Sequence, residues 1–582
     1  MLAPRFRGAF VLGTLGLLIS ACSNGTEPTK QSLCDASNPV TLAVGEVRTP
    51  LSDACVYVSS GAAGGEYALV PFNADTGYLH TSSLSFTSSG VTAVSTPLQT
   101  RVMASGPLFD LSPSASAATS VQPSNAFELQ LRASERRVLR PLIPGARAWY
   151  QNRTAPNNAG ILRPSFSTAS APPAVGDLVT VNARTGTTLS DVCQVPDNRT
   201  GRVVAVTDHA IVLADTANPT GGYTDAEYQS IGVAFDTVYT MDTGAFGTPT
   251  DIDSNGRIVM FFTRAVNEMT PKGSSTIVGG FFYARDLFPK QDSPQLGAGS
   301  GCPTSNFAEL FYLAVPDPNA LVNGNTNFTK AFISRLAVST TAHEFQHLIN
   351  AARRLYVNTS ATDFEVVWLN EGLSHIAEEL LFLTESGLAP RADIDSLKIR
   401  SSSNTLAAFN NDEGANFLRY AKYLPRTATS SPYAPDDSLW TRAATYTFLR
   451  FAADHRGTSD SDTWFKLVNS TTTGIDNLKN VFGTGLPAIF RDWAVSQIAD
   501  NVQNVNSEWQ EPSWNWRSVF IASTLKSYPL STVTVSDNTP LTVTLNGGGA
   551  AYVRFVVPAG QVGSVKWTTQ STAIAMSLVR LK

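Results

Sequence analysis

Residues 342–350 read Ala-His-Glu-Phe-Gln-His-Leu-Ile-Asn, inside a run from Phe328 to Tyr356 that contains neither Pro nor Gly. Such a run is expected to be one long helix. Positions i and i+4 share a helix face, so His343 and His347 can direct two imidazoles at a single ion. Glu344 sits one step round, close to a metal-bound water but not on the metal. Neutral nitrogens to hold zinc, and a carboxylate to take the proton of that water, are the parts needed for metal-assisted hydrolysis. With 6 His in 582 residues, this spacing is expected by chance roughly 0.002 times in the chain. A catalytic zinc takes three protein ligands and leaves the fourth position open. Further along comes Trp368-Leu-Asn-Glu-Gly-Leu-Ser-His-Ile-Ala-Glu-Glu379, where Asn370 suits a helix cap and Glu371 the first turn of a second helix. From there Glu371 can approach the ion from another direction and complete a site for one Zn2+ per chain.

HEFQHLIN followed by WLNEGLS resembles the gluzincin zinc peptidases, which include thermolysin and the aminopeptidases, and is most similar to the hyicolysin family of bacterial neutral zinc metallopeptidases. The resemblance is specific over about residues 340–380. It extends more loosely back to Gly176 through Asp251-Ile-Asp-Ser-Asn-Gly-Arg-Ile258 and Gly279-Gly-Phe-Phe-Tyr-Ala-Arg-Asp286, and it does not cover the first 170 or so residues or the tail. It implies an α+β, thermolysin-like catalytic domain with a helical C-terminal half, metal ligands His343, His347 and Glu371, Glu344 as general base, and a protein or peptide substrate. An extended peptide is expected to pair with the strand near Glu309 to Leu313. No GxMEN-type sequence of the kind that grips a free N-terminus is present, which favours endopeptidase action.

Two positions depart from the pattern or stay open. Thermolysin-like enzymes carry an Asp four residues after the ligand Glu to orient a metal histidine; here that position is His375, which either touches the site or packs beside it. A donor is also needed for the oxyanion of the tetrahedral intermediate. The helix Leu439-Trp-Thr-Arg-Ala-Ala-Thr-Tyr-Thr-Phe-Leu-Arg-Phe451 carries Arg442 and Tyr446 one turn apart. Both are candidates, with core packing as the alternative for each. The other reading of the whole chain is a noncatalytic zinc-binding surface or adhesion protein on a peptidase fold, against which the retained Glu344 speaks. A metal-dependent hydrolase of non-peptide substrates would use the same ligands.

Asp251, Asp253, Asn255 and Gly256 form DxDxNG, similar to the start of a Ca2+ loop. An EF-hand needs an acid at position 12, which here is Phe262, so that module is excluded. A Ca2+ site of another kind or a plain Asn-Gly turn before a strand remains.

The elements that must position these residues belong to a chain of several domains. Hydrophobic residues make up 43%, enough for full cores, and a formal net charge of -5 leaves no basic field to hold nucleic acid. Arg5 and Arg7, an uncharged run from Gly8 to Ile19, and Ile19-Ser20-Ala21-Cys22 describe a secretory signal ending in a lipobox. Cleavage before Cys22 and lipidation of its thiol predict an exported bacterial lipoprotein, held on the outer membrane or cell surface by its N-terminus. Cys34, Cys55, Cys193 and Cys302 form an even set without CxxC spacing, which suggests two disulfides. Of the three pairings, Cys34 with Cys55 and Cys193 with Cys302 keep each pair within one region.

The expected layout is a signal (1–21), a tether (22–41), a β-rich N-terminal domain (42–135), a basic linker (136–175), a zinc metallopeptidase domain (176–520) and a C-terminal β-sandwich (521–582). The stretch with Arg132, Arg136, Arg137, Arg140, Arg147, Arg153 and Arg163 around one acid, Glu135, reads as a solvated linker, a processing site or a cap on an acidic cleft.

Overall fold

The structure is a computed structural model that describes residues 32–95, 123–152, 173–186, 188–274, 277–292, 297 and 299–582. Cys22, the signal and most of the tether, together with Arg153 and Arg163, lie outside the described residues.

Among the described residues four strands come first: β1 (Val47–Arg48), β2 (Cys55–Ser59), β3 (Gly65–Asn73) and β4 (Ser82–Ser89). Helices α1 (Pro123–Ser134) and α2 (Ile143–Asn152) follow, joined by helical turns through 135–142. Next come β5 (Leu178–Asn182), β6 (Asn198–Val206), β7 (Ala210–Asp215), α3 (Asp225–Phe246), β8 (Ile258–Phe262), the short α4 (Arg264–Glu268), β9 (Gly280–Phe282) and β10 (Leu310–Leu313). Helix α5 (Lys330–Ala352) and helix α6 (Val367–Ser386) lead into a helical region reaching Ile521. Strands β11 (Val533–Thr534), β12 (Leu541–Leu545), β13 (Val553–Val557), β14 (Val562–Thr569) and β15 (Ile574–Arg580) close it.

The central sheet has the order β5-β6-β7-β8-β10-β9. Strands β7 and β8 are buried along their whole length and pair in parallel, as continuous apolar runs covered on both faces do. Helix α3 makes the crossover between them. Its start is fixed by Thr224, whose side chain accepts from the Glu227 backbone while Glu227 returns the bond, a capping box. The β6–β7 hairpin turns at Thr207–Ala210. Strand β10 is paired on both sides, parallel to β8 and antiparallel to β9. The Glu309–Leu313 strand therefore has no free edge for a peptide; the antiparallel β9 is the edge on that side.

The two β-rich ends of the chain are strand partners. One sheet runs β1-β15-β3-β13-β11 and the other β12-β4-β14-β2, so N-terminal strands alternate with C-terminal ones in a single sandwich. Its inner face is an apolar core of its own, with Val56, Leu69, Phe86, Phe555, Val565 and Leu578 buried. The opposite face of the first sheet, with Val47, Ala68, Phe72, Tyr552 and Val579, belongs to the main core. Alternation along each strand reveals which face is apolar but not which strand lies alongside it.

The described part of the basic stretch is not a free linker, although Arg137 and Arg140 are exposed. Leu131, Leu139, Ile143 and Ala146 are buried in the main core, and Arg132, also buried, is paired with Glu135 at 2.8 Å. The apolar residues between the arginines recur at helical spacing, and that periodicity outweighs the charge run. Cys34–Cys55 and Cys193–Cys302 are both disulfide-bonded. No helix among the described residues is long and apolar enough to cross a membrane.

Candidate metal centre

Helix α5 starts at Thr329, whose hydroxyl accepts from the Phe332 backbone. It runs unbroken past His343 and His347, so the two imidazoles lie one turn apart on a common face, ring centroids 4.8 Å apart. Helix α6 packs against that face. Ligand atoms of His343, His347 and Glu371 all lie within 4.8 Å of one another, and all three residues are buried. His343 Nε2 is 3.4 Å from Glu371 Oε2, and His347 Nε2 is 3.4 Å from Glu371 Oε1. Neither carboxylate oxygen of Glu371 has an aligned hydrogen bond. Two imidazole nitrogens and a carboxylate, converging in a buried place, fit a zinc-type ion.

Helix α6 begins at Val367, one turn earlier than a cap at Asn370 requires. Trp368 and Leu369 are buried, and packing them as helical residues outweighs the capping preference of Asn370. Glu371 thus lies in the second turn, and Asn370 lines a small hollow beside His347.

Two groups steady the ligands. His343 Nδ1 is 2.8 Å from Glu378 Oε1, and Arg419 Nη1 lies 3.5 Å and His375 Nδ1 3.1 Å from the other oxygen. His347 Nδ1 is 3.0 Å from the Ser374 hydroxyl. A histidine whose far nitrogen is held this way is fixed in orientation and tautomer. His375 is fully buried, at 4.9 Å ring to ring from His343, and shares Glu378 with it; ligand atoms of these three also lie within 4.8 Å of one another. Glu378 was not apparent from motif reading. The available signal was spacing: Glu371, His375 and Glu378 stand at i, i+4 and i+7, one stripe of α6.

Protonation follows from burial and neighbours. Burial works to raise Glu371, but Arg442 and His347 overcome it and hold the carboxyl well below its ordinary range. Burial lowers His347 to about 4 against the pull of Glu371. For His343 burial is outweighed by Glu371 and Glu378, and the ring is raised to about 10; a metal would displace its proton. Glu344 is pushed up to about 7 by burial, with His343 and Arg132 opposing. A carboxyl poised near neutrality is suited to taking and returning a proton.

Arg442 reaches the cluster, with Nη1 2.6 Å from Glu371 Oε2 and the rest of its guanidinium on Asp437 at 2.7 and 2.8 Å. It is placed to hold Glu371. Tyr446 is not brought to the cluster: its hydroxyl faces Glu413 at 2.7 Å and Glu379 at 3.1 Å inside the core. One phenolic proton between two carboxyls means that an acid keeps its own, and burial raises both.

Away from this centre, Asp251 and Asp253 of the DxDxNG loop lie with Glu309 within 4.8 Å of one another. Their hydrogen bonds come from the loop itself, from Thr250 and Ile252 to Glu309 and from Asn255 to Asp251 and Asp253. That is the pattern of a closed turn leading into β8.

No family model matches the chain. It is similar to the neutral metalloprotease ShpI of Staphylococcus hyicus, 28% identical over 207 residues, which is 35% of this chain and 40% of that protein.

Proposed function

We propose that this chain is a zinc metalloendopeptidase of the gluzincin type, acting on proteins outside the cytoplasm. The observation that carries the reading is the convergence of His343, His347 and Glu371 within 4.8 Å, with Glu344 beside them. The likeness to a neutral metalloprotease over part of the length supports the same class. His343, His347 and Glu371 would hold the zinc, which when bound polarises a scissile carbonyl and acidifies a water. Glu344 then takes the water's proton and delivers it to the leaving amine. Glu378 and Ser374 keep the two imidazoles aimed, and Arg442 keeps Glu371 ionised. An extended peptide would add to the edge of β9. That strand lies against α5 so closely that a Cβ on Gly280 would stand 2.9 Å from the Thr340 side chain.

The test uses residues 23–582, bound zinc and casein cleavage, in wild type and Glu344→Gln. Zinc near one per chain, with cleavage lost in the variant, supports the reading. Equal cleavage in both proteins, or absence of zinc, overturns it. Lipidation at Cys22 is a separate proposal resting on the lipobox-like sequence; Cys22→Ser should release the protein from membranes, and retention would count against it.

A further inference from the structure

We propose that α1 and the turn after it form a built-in cap over the metal centre, which must lift before a polypeptide can enter; this rests on the peptidase reading. Outward-facing groups on an antiparallel edge come from every second residue. On β9 and its continuation these are Gly280, Phe282 and Ala284. The carbonyl of Phe282 accepts from Arg132 Nη2 at 3.3 Å, and the backbone N–H of Ala284 donates to Glu135 Oε1 at 3.0 Å. The Phe127 ring stands edge-on to Phe281 at 5.5 Å, and the Ser134 hydroxyl is 3.1 Å from that of Tyr283. Two of the polar groups that would receive an extended substrate, the Phe282 carbonyl and the Ala284 N–H, are thus taken by side chains of the same chain.

The metal centre is correspondingly closed. His343, Glu344, His347 and Glu371 are 8%, 5%, 2% and 0% exposed. The hollow beside them, lined by Arg132, Glu135, Phe282 and Asn370 among others, measures about 10 Å³, room for no more than one water. Glu128, on the same helix and 3.4 Å from Arg132, brings a further acid toward Glu344 and Glu371. By contrast, α2 is fastened away from the centre. Arg147 donates to the carbonyls of Leu355, Arg354 and Ala361 at 2.8 Å, and Trp149 packs on Phe307. Lifting the cap from the β9 edge would draw Leu131 and Leu139 from the core and leave its far end attached.

The probe is a short peptide hydroxamate, bound to the zinc-loaded chain and measured by calorimetry, in wild type, Arg132→Ala/Glu135→Ala and Phe127→Ala. Removing Arg132 and Glu135 together leaves neither without its partner. If the cap is closed nine-tenths of the time, the double variant should bind the hydroxamate about tenfold more tightly than wild type. A synthetic peptide of residues 123–152 added in trans should reverse the gain. Phe127→Ala, which removes no charge, should shift affinity the same way and serves if the double variant fails to fold. Equal or weaker hydroxamate affinity in folded variants overturns the cap. Tighter hydroxamate binding with no casein cleavage by any of the proteins keeps the cap and removes the peptidase reading. Casein cleavage with unchanged affinities does the reverse.

Discussion

His343 is only as well placed as the group behind it. Glu378 accepts from its Nδ1 at 2.8 Å, is buried, and is held well below the ordinary carboxylate range because His375 and Arg419 overcome the effect of burial. Glu378→Gln keeps the shape but removes the charge that fixes the tautomer with Nε2 free for metal. Zinc affinity, measured by competition with a chelating dye, should fall about 10–100-fold, while far-ultraviolet circular dichroism stays as in wild type. Unchanged zinc affinity would show that Glu378 is packing only. The four residues of the two motifs were legible because their chemistry is written in local spacing along helices. Glu378 sits seven residues after Glu371, where a reading tuned to four-residue intervals passes over it. Arg132 and Glu128 come from a helix more than 200 residues earlier, and no local pattern ties them to His347.

At the scale of elements, the approach of α6 to the helix Leu439–His455 sets how Arg442 meets Glu371. Gly372 is the contact point, since a Cβ there would stand 2.4 Å from Thr445 Cγ2 and 3.1 Å from Leu449 Cδ1. Gly372→Ala should push the helices apart, lower stability by about 1–3 kcal/mol and weaken zinc binding by stretching the 2.6 Å Arg442–Glu371 contact. Thermal unfolding and zinc titration would show both; a variant as stable and as tight as wild type would mean the helices adjust freely.

The loop before β8 makes a pH prediction. Burial first, then Asp251, raises Asp253 from an ordinary 3.8 to about 8. Between those values the folded chain keeps a proton that the unfolded chain has lost. Stability contributed here is thus complete below about pH 4, falls as pH rises through the window, and levels off above about 8. Asp253→Asn should flatten that part of the profile, raising the melting temperature at pH 8 relative to wild type but not at pH 4. A parallel profile for the two proteins would contradict it. Strand and helix identities here were largely legible, since β7 and β8 are continuous apolar runs and α3 is long and capped. The edge was not: whether β9 or β10 ends the sheet depends on partners that periodicity does not name.

At the scale of the whole molecule, the sandwich made from both ends of the chain is also a platform for the helical region. Phe72 stacks on Phe490 at 6.5 Å, the Tyr433 hydroxyl donates to the carbonyl of Asp75, and the Tyr552 hydroxyl donates to that of Ala494. Strand β3 is flanked by β13 and β15, whose residues lie some 500 positions away. Such pairings are closed by tertiary packing and are silent in local sequence, which is why two β units were expected where one exists. The arrangement predicts that neither end can be trimmed. Residues 173–530, which span the metal centre without the sandwich, should expose Phe490, Trp493 and the faces now under β3 and β13. Residues 173–582 should leave β13, β14 and β15 without their N-terminal partners, as unpaired edges that favour aggregation. Residues 32–582 should melt in one cooperative transition, whereas both fragments should bind a hydrophobic dye and lose that transition. A monomeric 173–530 fragment that melts cooperatively and binds zinc as the full chain does would show that the sandwich is an appendage; loss of both properties would show that the metal centre depends on what the fragment lacks, the sandwich strands from the two ends of the chain together with α1 and α2.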